Sequence, residues 1–256
     1  MDSFNIVAFN SVWFVMMGIF AALLIVSSVL LRKASRKTKR WVLAGAFIFT
    51  FVAYWAYKVA LSLDTSYEVI LERDFSWWAE LPLQLCNINI MLIPVACILD
   101  NKRLYAFCFF IAPLAAFMAI AFPSAGFHDC SIFLVRNLGF YFTHWMIVIG
   151  GIAIASFGLY RPVFRDIPRT YLTLLCISAV VFGFDCLLNY GCGYYFVNYF
   201  FALDPEGISI LELFYNLVPV PGLYILVTGL TVLTPYILLV TGIFELCGKK
   251  KNKKTV

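Results

Sequence analysis

The sequence predicts an all-α polytopic membrane protein with seven transmembrane helices, and three observations predict it. The chain has 256 residues, of which 63% are hydrophobic and 13% charged. Its mean hydropathy of +0.91 lies far above that of a soluble domain. Seven apolar stretches of about 20 residues, the length that crosses a hydrocarbon core, run at 9–31, 41–63, 79–100, 104–122, 138–159, 170–196 and 222–246. The third observation is the distribution of basic residues.

Between the first two stretches lie Arg32, Lys33, Arg36, Lys37, Lys39 and Arg40, which place that loop in the cytoplasm because lysine and arginine are held on the inner face. The alternation then puts Lys102 and Arg103 inside, followed by Arg161, Arg165 and Arg169, and finally the tail with Lys249, Lys250, Lys251, Lys253 and Lys254. Only Arg73 and Arg136 fall outside, and Lys58 lies within the second stretch. The expected orientation is therefore an outer amino terminus and a cytoplasmic carboxyl terminus.

The net charge of +5 does not indicate nucleic acid, since the cations flank apolar stretches as orientation determinants. The connecting segments are too short for a second domain of ordinary size, so residues 1–256 are read as one transmembrane domain. A basic cluster, and no small-residue cleavage site, follows the first stretch, which predicts a retained helix. Most of the eight cysteines sit inside apolar runs as small hydrophobes, while Cys130 and Cys192 both fall near the expected outer face, where an oxidising compartment would allow a disulfide between them. Pro94, Pro113 and Pro235 predict kinks within the third, fourth and seventh helices. The stretch from Val197 to Pro221 carries an acidic amphipathic run, LDPEGISILELF, suited to the interface or to a re-entrant piece.

Polar groups at membrane depth are costly, so each is a candidate for function. With the third helix entering at about Ala79, Cys86 lies roughly 10 Å down, and with the fifth entering at about Leu138, His144 lies roughly 9 Å down. A thiol and an imidazole in one layer suit covalent acyl transfer: the histidine takes the proton, the thiolate attacks an ester, and the acyl group rests as a thioester. The plainer reading makes Cys86 a packing residue and His144 a helix-to-helix hydrogen bonder.

Supporting groups are expected nearby. Asn89 lies one turn from Cys86, while Gln84 and Asn87 join the polar layer on other faces. Asp185 and Asn189, four residues apart on one face of the sixth helix, could orient His144 or serve as packing hydrogen bonders. Lys58 is expected to snorkel to the interface or to meet a lipid phosphate, and His128 is a second headgroup candidate. His128, Asp129 and Cys130 are too close in sequence for tetrahedral ligation, so no metal is expected. There is no Gly-rich phosphate loop, HExxH or GxSxG, and no soluble cofactor is expected.

The segments LPLQLCNINIMLIPVACIL and FYFTHWMIVIGG, together with FHDC, LYRPVFR and VPVPGLYIL in that order, resemble the family of bacterial YwaF-like membrane proteins and transmembrane protein 164, from about the second helix to the seventh. The resemblance implies an acyltransferase that moves fatty acyl chains onto lysophospholipids through a cysteine, with membrane phospholipids and lysophospholipids as its partners, and it maps the cysteine and histidine onto Cys86 and His144. Departures fall at Gln84, where LPLHLC is common, at VPVPGLY in place of GPWPWY, and at Asp185, where many members have asparagine. Rival classes are a small-molecule transporter or channel with a polar site in the outer half of the membrane, a lipid hydrolase, and an accessory subunit without a site. The resemblance implies the plasma membrane for a bacterial chain. The terminal KKTV would match a dilysine retrieval signal in an endomembrane protein, or simply anchor the tail to anionic lipid.

Overall fold

The computed structural model describes residues 4–72 and 74–252, apart from the side chains of residues 71, 125 and 248–252. Of the residues that set the expected orientation, Arg73, Lys253 and Lys254 lie outside the described residues, as does the terminal KKTV. The chain forms two compact units, Met1–Leu159 and Tyr160–Val256.

The first unit contains α1 (Ser11–Leu30), α2 (Arg36–Leu61), the short α3 (Thr65–Leu71), α4 (Leu85–Leu99), α5 (Lys102–Ala121) and α6 (Val135–Ser156). Helix α6 is its centre, packing against α1, α2, α4 and α5. Glycines on α6 permit that density, because a backbone without Cβ lets a neighbour approach closely. A Cβ at Gly150 would fall 2.1 Å from the Phe47 ring of α2, and one at Gly151 would fall 2.6 Å from Cδ of Pro113 on α5. A two-residue antiparallel pairing of β1 (Asn5–Ile6) with β2 (Cys130–Ser131) ties the chain ahead of α1 to the segment ahead of α6.

Six helices among the described residues are long and apolar enough to cross a membrane: Ser11–Leu30, Arg36–Leu61, Lys102–Ala121, Val135–Ser156, Phe164–Gly191 and Leu223–Cys247. The third predicted stretch, 79–100, instead gives the 15-residue α4. Its expected first turns are irregular around Pro82, which lacks an N–H and disfavours helical backbone in the residue before it. Helix α2 begins at Arg36 rather than near residue 41, because the Ser35 hydroxyl accepts from Thr38 N and caps it. Arg36, Lys37, Lys39 and Arg40 are therefore helical.

Two of those arginines also build structure. Asp100 ends α4 in a left-handed turn (φ 48°), and Asn101 immediately caps α5 by accepting from Arg103 N and Leu104 N. Arg36 Nη2 donates to Asp100 Oδ1 at 2.8 Å, and Arg40 donates to the carbonyls of Cys97 and Ile98 at 2.8 and 2.9 Å. Cations thus meet the unsatisfied carbonyls and the negative dipole end of α4.

The second unit holds α7 (Ile167–Cys186), extended by a π-helical turn at Leu187–Gly191, then α8 (Ser209–Leu217) and α9 (Leu223–Asn252). The expected amphipathic run becomes α8, with Leu211 buried and Leu213 and Leu217 exposed. Gly222 turns the chain from α8 into α9 with φ +76°, a conformation glycine adopts without strain. Pro94, Pro113 and Pro235 lie inside α4, α5 and α9 without ending them.

Candidate functional site

The late start of α4 changes the setting of Cys86. It is the second residue of the helix, not one buried two turns along it. Gln84 occupies the N-cap without a side-chain hydrogen bond to the first turn, so the opening N–H groups of α4 are left to other acceptors. The thiol thus lies in the first turn of α4, at the positive end of the helix dipole.

Asn87, expected to face elsewhere, accepts through Oδ1 from the Cys86 thiol at 3.7 Å, and both residues are buried. Asn89, expected to assist, spends its amide on Leu85 O at 2.8 Å, while its Oδ1 is buried without a hydrogen-bond partner.

His144 lies two and a half turns into α6 and is 4% exposed. Its Nδ1 is 2.8 Å from Phe140 O. A carbonyl can only accept, so Nδ1 carries the hydrogen and Nε2 of the neutral ring holds the lone pair. Nε2 makes no hydrogen bond among the described residues. An aromatic column covers the ring: Phe140 lies 4.2 Å from it centroid to centroid, Phe127 stacks on Phe140 at 4.3 Å, and Tyr67 of α3 meets Phe127 at 5.6 Å.

No hydrogen bond joins Cys86 to His144 among the described residues, although α4 and α6 pack together. Lys58 does not snorkel. It is 5% exposed and forms an ion pair with Glu80, its ammonium lying 5.3 Å from the Tyr54 ring centre and 4.7 Å from that of Tyr57. Tyr54 Oη donates to Glu80 O at 2.7 Å. Glu80, Tyr54 and Tyr57 were not among the residues picked from the sequence. The available signal was Lys58 itself, since a lysine inside an apolar helix needs an acidic partner.

The remaining polar residues have other settings. His128 is exposed between α5 and α6, and the neighbouring Cys130 sulfur is 3.1 Å from Asn137 Nδ2. Arg136, expected in a loop, is buried in the first turn of α6, where Nη1 donates to Asp64 Oδ2 at 2.7 Å and to Ser66 Oγ at 2.6 Å. All eight cysteines, Cys130 and Cys192 included, are free thiols. In the second unit Asp185 and Asn189 share one face, as expected. Asn189 Nδ2 donates to the Asp185 and Val197 carbonyls, and Asp185 Oδ1 accepts from Tyr199 N at 3.1 Å, so the pair holds the chain that follows the π turn. Asp185 Oδ2 is buried and unpartnered.

A multi-pass helical chain with a buried thiol, imidazole and ion pair in its first unit is an integral membrane protein. Residues 8–240 match the model of the TMEM164 family, and the chain belongs to that family. No curated protein and no solved structure gives a significant match.

Proposed function

We propose that the chain is a membrane acyltransferase that moves fatty acyl chains between phospholipids and lysophospholipids through a Cys86 thioester, with His144 as base and then acid. The observation that carries this reading is the imidazole tautomer: Phe140 O fixes the hydrogen on Nδ1 and leaves Nε2 free to accept, in a unit where the thiol sits at a helix N-terminus. Seven spans, with α4 as the short one, an outer amino terminus and a cytoplasmic carboxyl terminus complete the proposal.

In the first half-reaction the Cys86 S–H proton passes to Nε2, and the thiolate forms a bond to the ester carbonyl carbon of a phospholipid. The carbonyl oxygen becomes an oxyanion that the opening N–H groups of α4 are suited to receive. Collapse breaks the ester C–O bond, and the leaving alkoxide takes the proton from His144 and departs as lysolipid. In the second half a lysophospholipid hydroxyl gives its proton to Nε2 and attacks the thioester. The C–S bond breaks and the thiolate recovers the proton. Donor and acceptor are both lipids, so no soluble cofactor enters the balance. The apolar surroundings restrict water, which favours transfer over hydrolysis. The exposed His128 is the headgroup-facing candidate, since Lys58 is enclosed with Glu80.

The test is intact-protein mass spectrometry of wild type and Cys86→Ala after incubation with phospholipid, with and without hydroxylamine. A hydroxylamine-sensitive acyl adduct confined to wild type, with acyl exchange into added lysolipid, is the expected result. Free fatty acid without exchange would make the protein a hydrolase. No adduct, together with an unchanged lipid profile for both Cys86→Ala and His144→Ala, would sink covalent transfer and favour a transporter.

A further inference from the structure

The second unit buries a carboxyl that no cation answers. Asp185 stands on the last turn of α7, inside a helix long and apolar enough to cross a membrane, and is 0% exposed. Its Oδ1 accepts from Tyr199 N at 3.1 Å, and its Oδ2 is buried without a hydrogen-bond partner. The Asn189 amide one turn on is spent on the Asp185 and Val197 carbonyls. An ionised carboxyl offers about four acceptor positions, so a single backbone N–H leaves most of its charge unanswered. Burying such a charge is far more costly than burying the neutral acid, unless a cation pairs with it. Among the described residues no cation does. The titratable groups on the neighbouring segments are Tyr199, Glu206 and Tyr224, none of them a base.

We propose that Asp185 is a proton-binding site, held as the neutral acid while the segment 197–202 is closed over it, and that this proton keeps the segment latched to α7. The latch has two sides. Asp185 and Asn189 grip the segment at Tyr199 N and Val197 O, while from the start of α9 Tyr224 Oη donates to Phe201 O and Gly222 N to Ala202 O. Opening the segment admits water, and the carboxyl then gives its proton to water and ionises as an ordinary aspartic acid does, above about pH 4. The closed state therefore binds the proton and the open state releases it. Rising pH favours opening from about pH 4 upward, until the acid ionises in place and the effect levels off. This site is independent of the chemistry at Cys86.

The experiment is hydrogen exchange of full-length wild type and Asp185→Asn in lipid nanodiscs, from about pH 4 to 8, corrected for the intrinsic exchange rate. In wild type, exchange of the peptide spanning 197–202 should rise with pH, by up to about tenfold per unit, before it levels off. Asp185→Asn keeps an acceptor for Tyr199 N and has no proton to titrate, so its corrected exchange should not vary with pH. An infrared difference spectrum between the two proteins at the low end of the range should show the carbonyl band of a protonated carboxyl in wild type alone. Parallel exchange profiles in the two proteins, or a carboxylate band in place of the acid band, would overturn the proposal. So would exchange that follows sodium concentration at fixed pH, because the occupant would then be a metal cation. Should Asp185→Asn fail to fold, a flat wild-type profile would by itself overturn it.

Discussion

The Tyr57 side chain of α2 rests where a side chain on Gly139 of α6 would stand: a Cβ there would fall 2.3 Å from both Cβ and Cγ of Tyr57. The contact lies beside Lys58 in sequence and five residues ahead of His144. Gly139→Ala must therefore displace the helix that carries Lys58. The expected loss is about 1–3 kcal/mol, the usual cost of overpacking, seen as a lower thermal midpoint in detergent. Acyl-adduct formation should slow with it. Gly45→Ala on α2, where nothing lies within 4 Å, should leave both unchanged.

Cys86→Ala and Cys86→Ser should each abolish the hydroxylamine-sensitive adduct. His144→Ala should slow its formation by about 10²–10⁴-fold, the span that one positioned acid–base group provides. A permeation pathway would tolerate Cys86→Ser, so normal function in that variant would contradict the covalent route.

Acid should loosen the corner where α2 meets the end of α4. A hydrogen bond from Arg36, with the charges of Arg36 and Arg40, holds the Asp100 carboxyl below its ordinary 3.8 against a smaller opposing effect of burial. At Asp64 burial pushes upward, but hydrogen bonds from Ser66 and Arg136 and the Arg136 charge outweigh it and the carboxyl is again lowered. A carboxyl lowered on folding contributes its full stability above its unfolded value and loses it as pH falls through the folded value. Wild type should therefore lose thermal stability below about pH 4, and Asp100→Asn should lose less over the same interval. Parallel curves for the two proteins would show that the Asp100 contacts contribute nothing.

In the second unit, Asn189→Ala removes the donor to the Asp185 and Val197 carbonyls. Leaving buried carbonyls short of a donor costs about 1–3 kcal/mol. Hydrogen exchange should rise at Val197 and at Tyr199, whose N–H is held by Asp185. An unchanged exchange pattern would mean that the π turn alone fixes this segment.

The apolar stretches were legible because crossing a bilayer imposes one length and one composition, and six of them give helices long and apolar enough to cross, while the third gives the shorter α4. Their ends were less so. The stretch at 79–100 stayed apolar through Pro82, so composition concealed that α4 starts at Leu85 and that Cys86 stands in its first turn. Ser35 shows the reverse case, a cap that draws basic residues into α2. At the candidate site, the i−4 carbonyl that fixes the His144 tautomer follows from helical spacing alone. The Lys58–Glu80 pair does not, since its members are 22 residues apart and Glu80 falls at the outer edge of the stretch expected as the third helix. Arg136 misled for the same reason: its partner Asp64 caps α3, a helix too short and too polar to register as a hydrophobic stretch.

Helix α1 carries a wide apolar surface, with Val15, Ile19, Leu23, Ile25 and Val29 all exposed, and buries only Trp13 and Phe20. Both rings rest on Trp145, at 5.3 and 6.3 Å, and Trp13 also donates to Ile120 O at 3.0 Å. Trp145 is the residue after His144. Parting α1 from α6 would disturb few contacts, whereas parting α5 from α6 would open the densest packing in the unit. Lipid tails that wedge in beside α1 thus meet the softest seam of the first unit, and the order of the surrounding bilayer would bear on how firmly Trp145 is held.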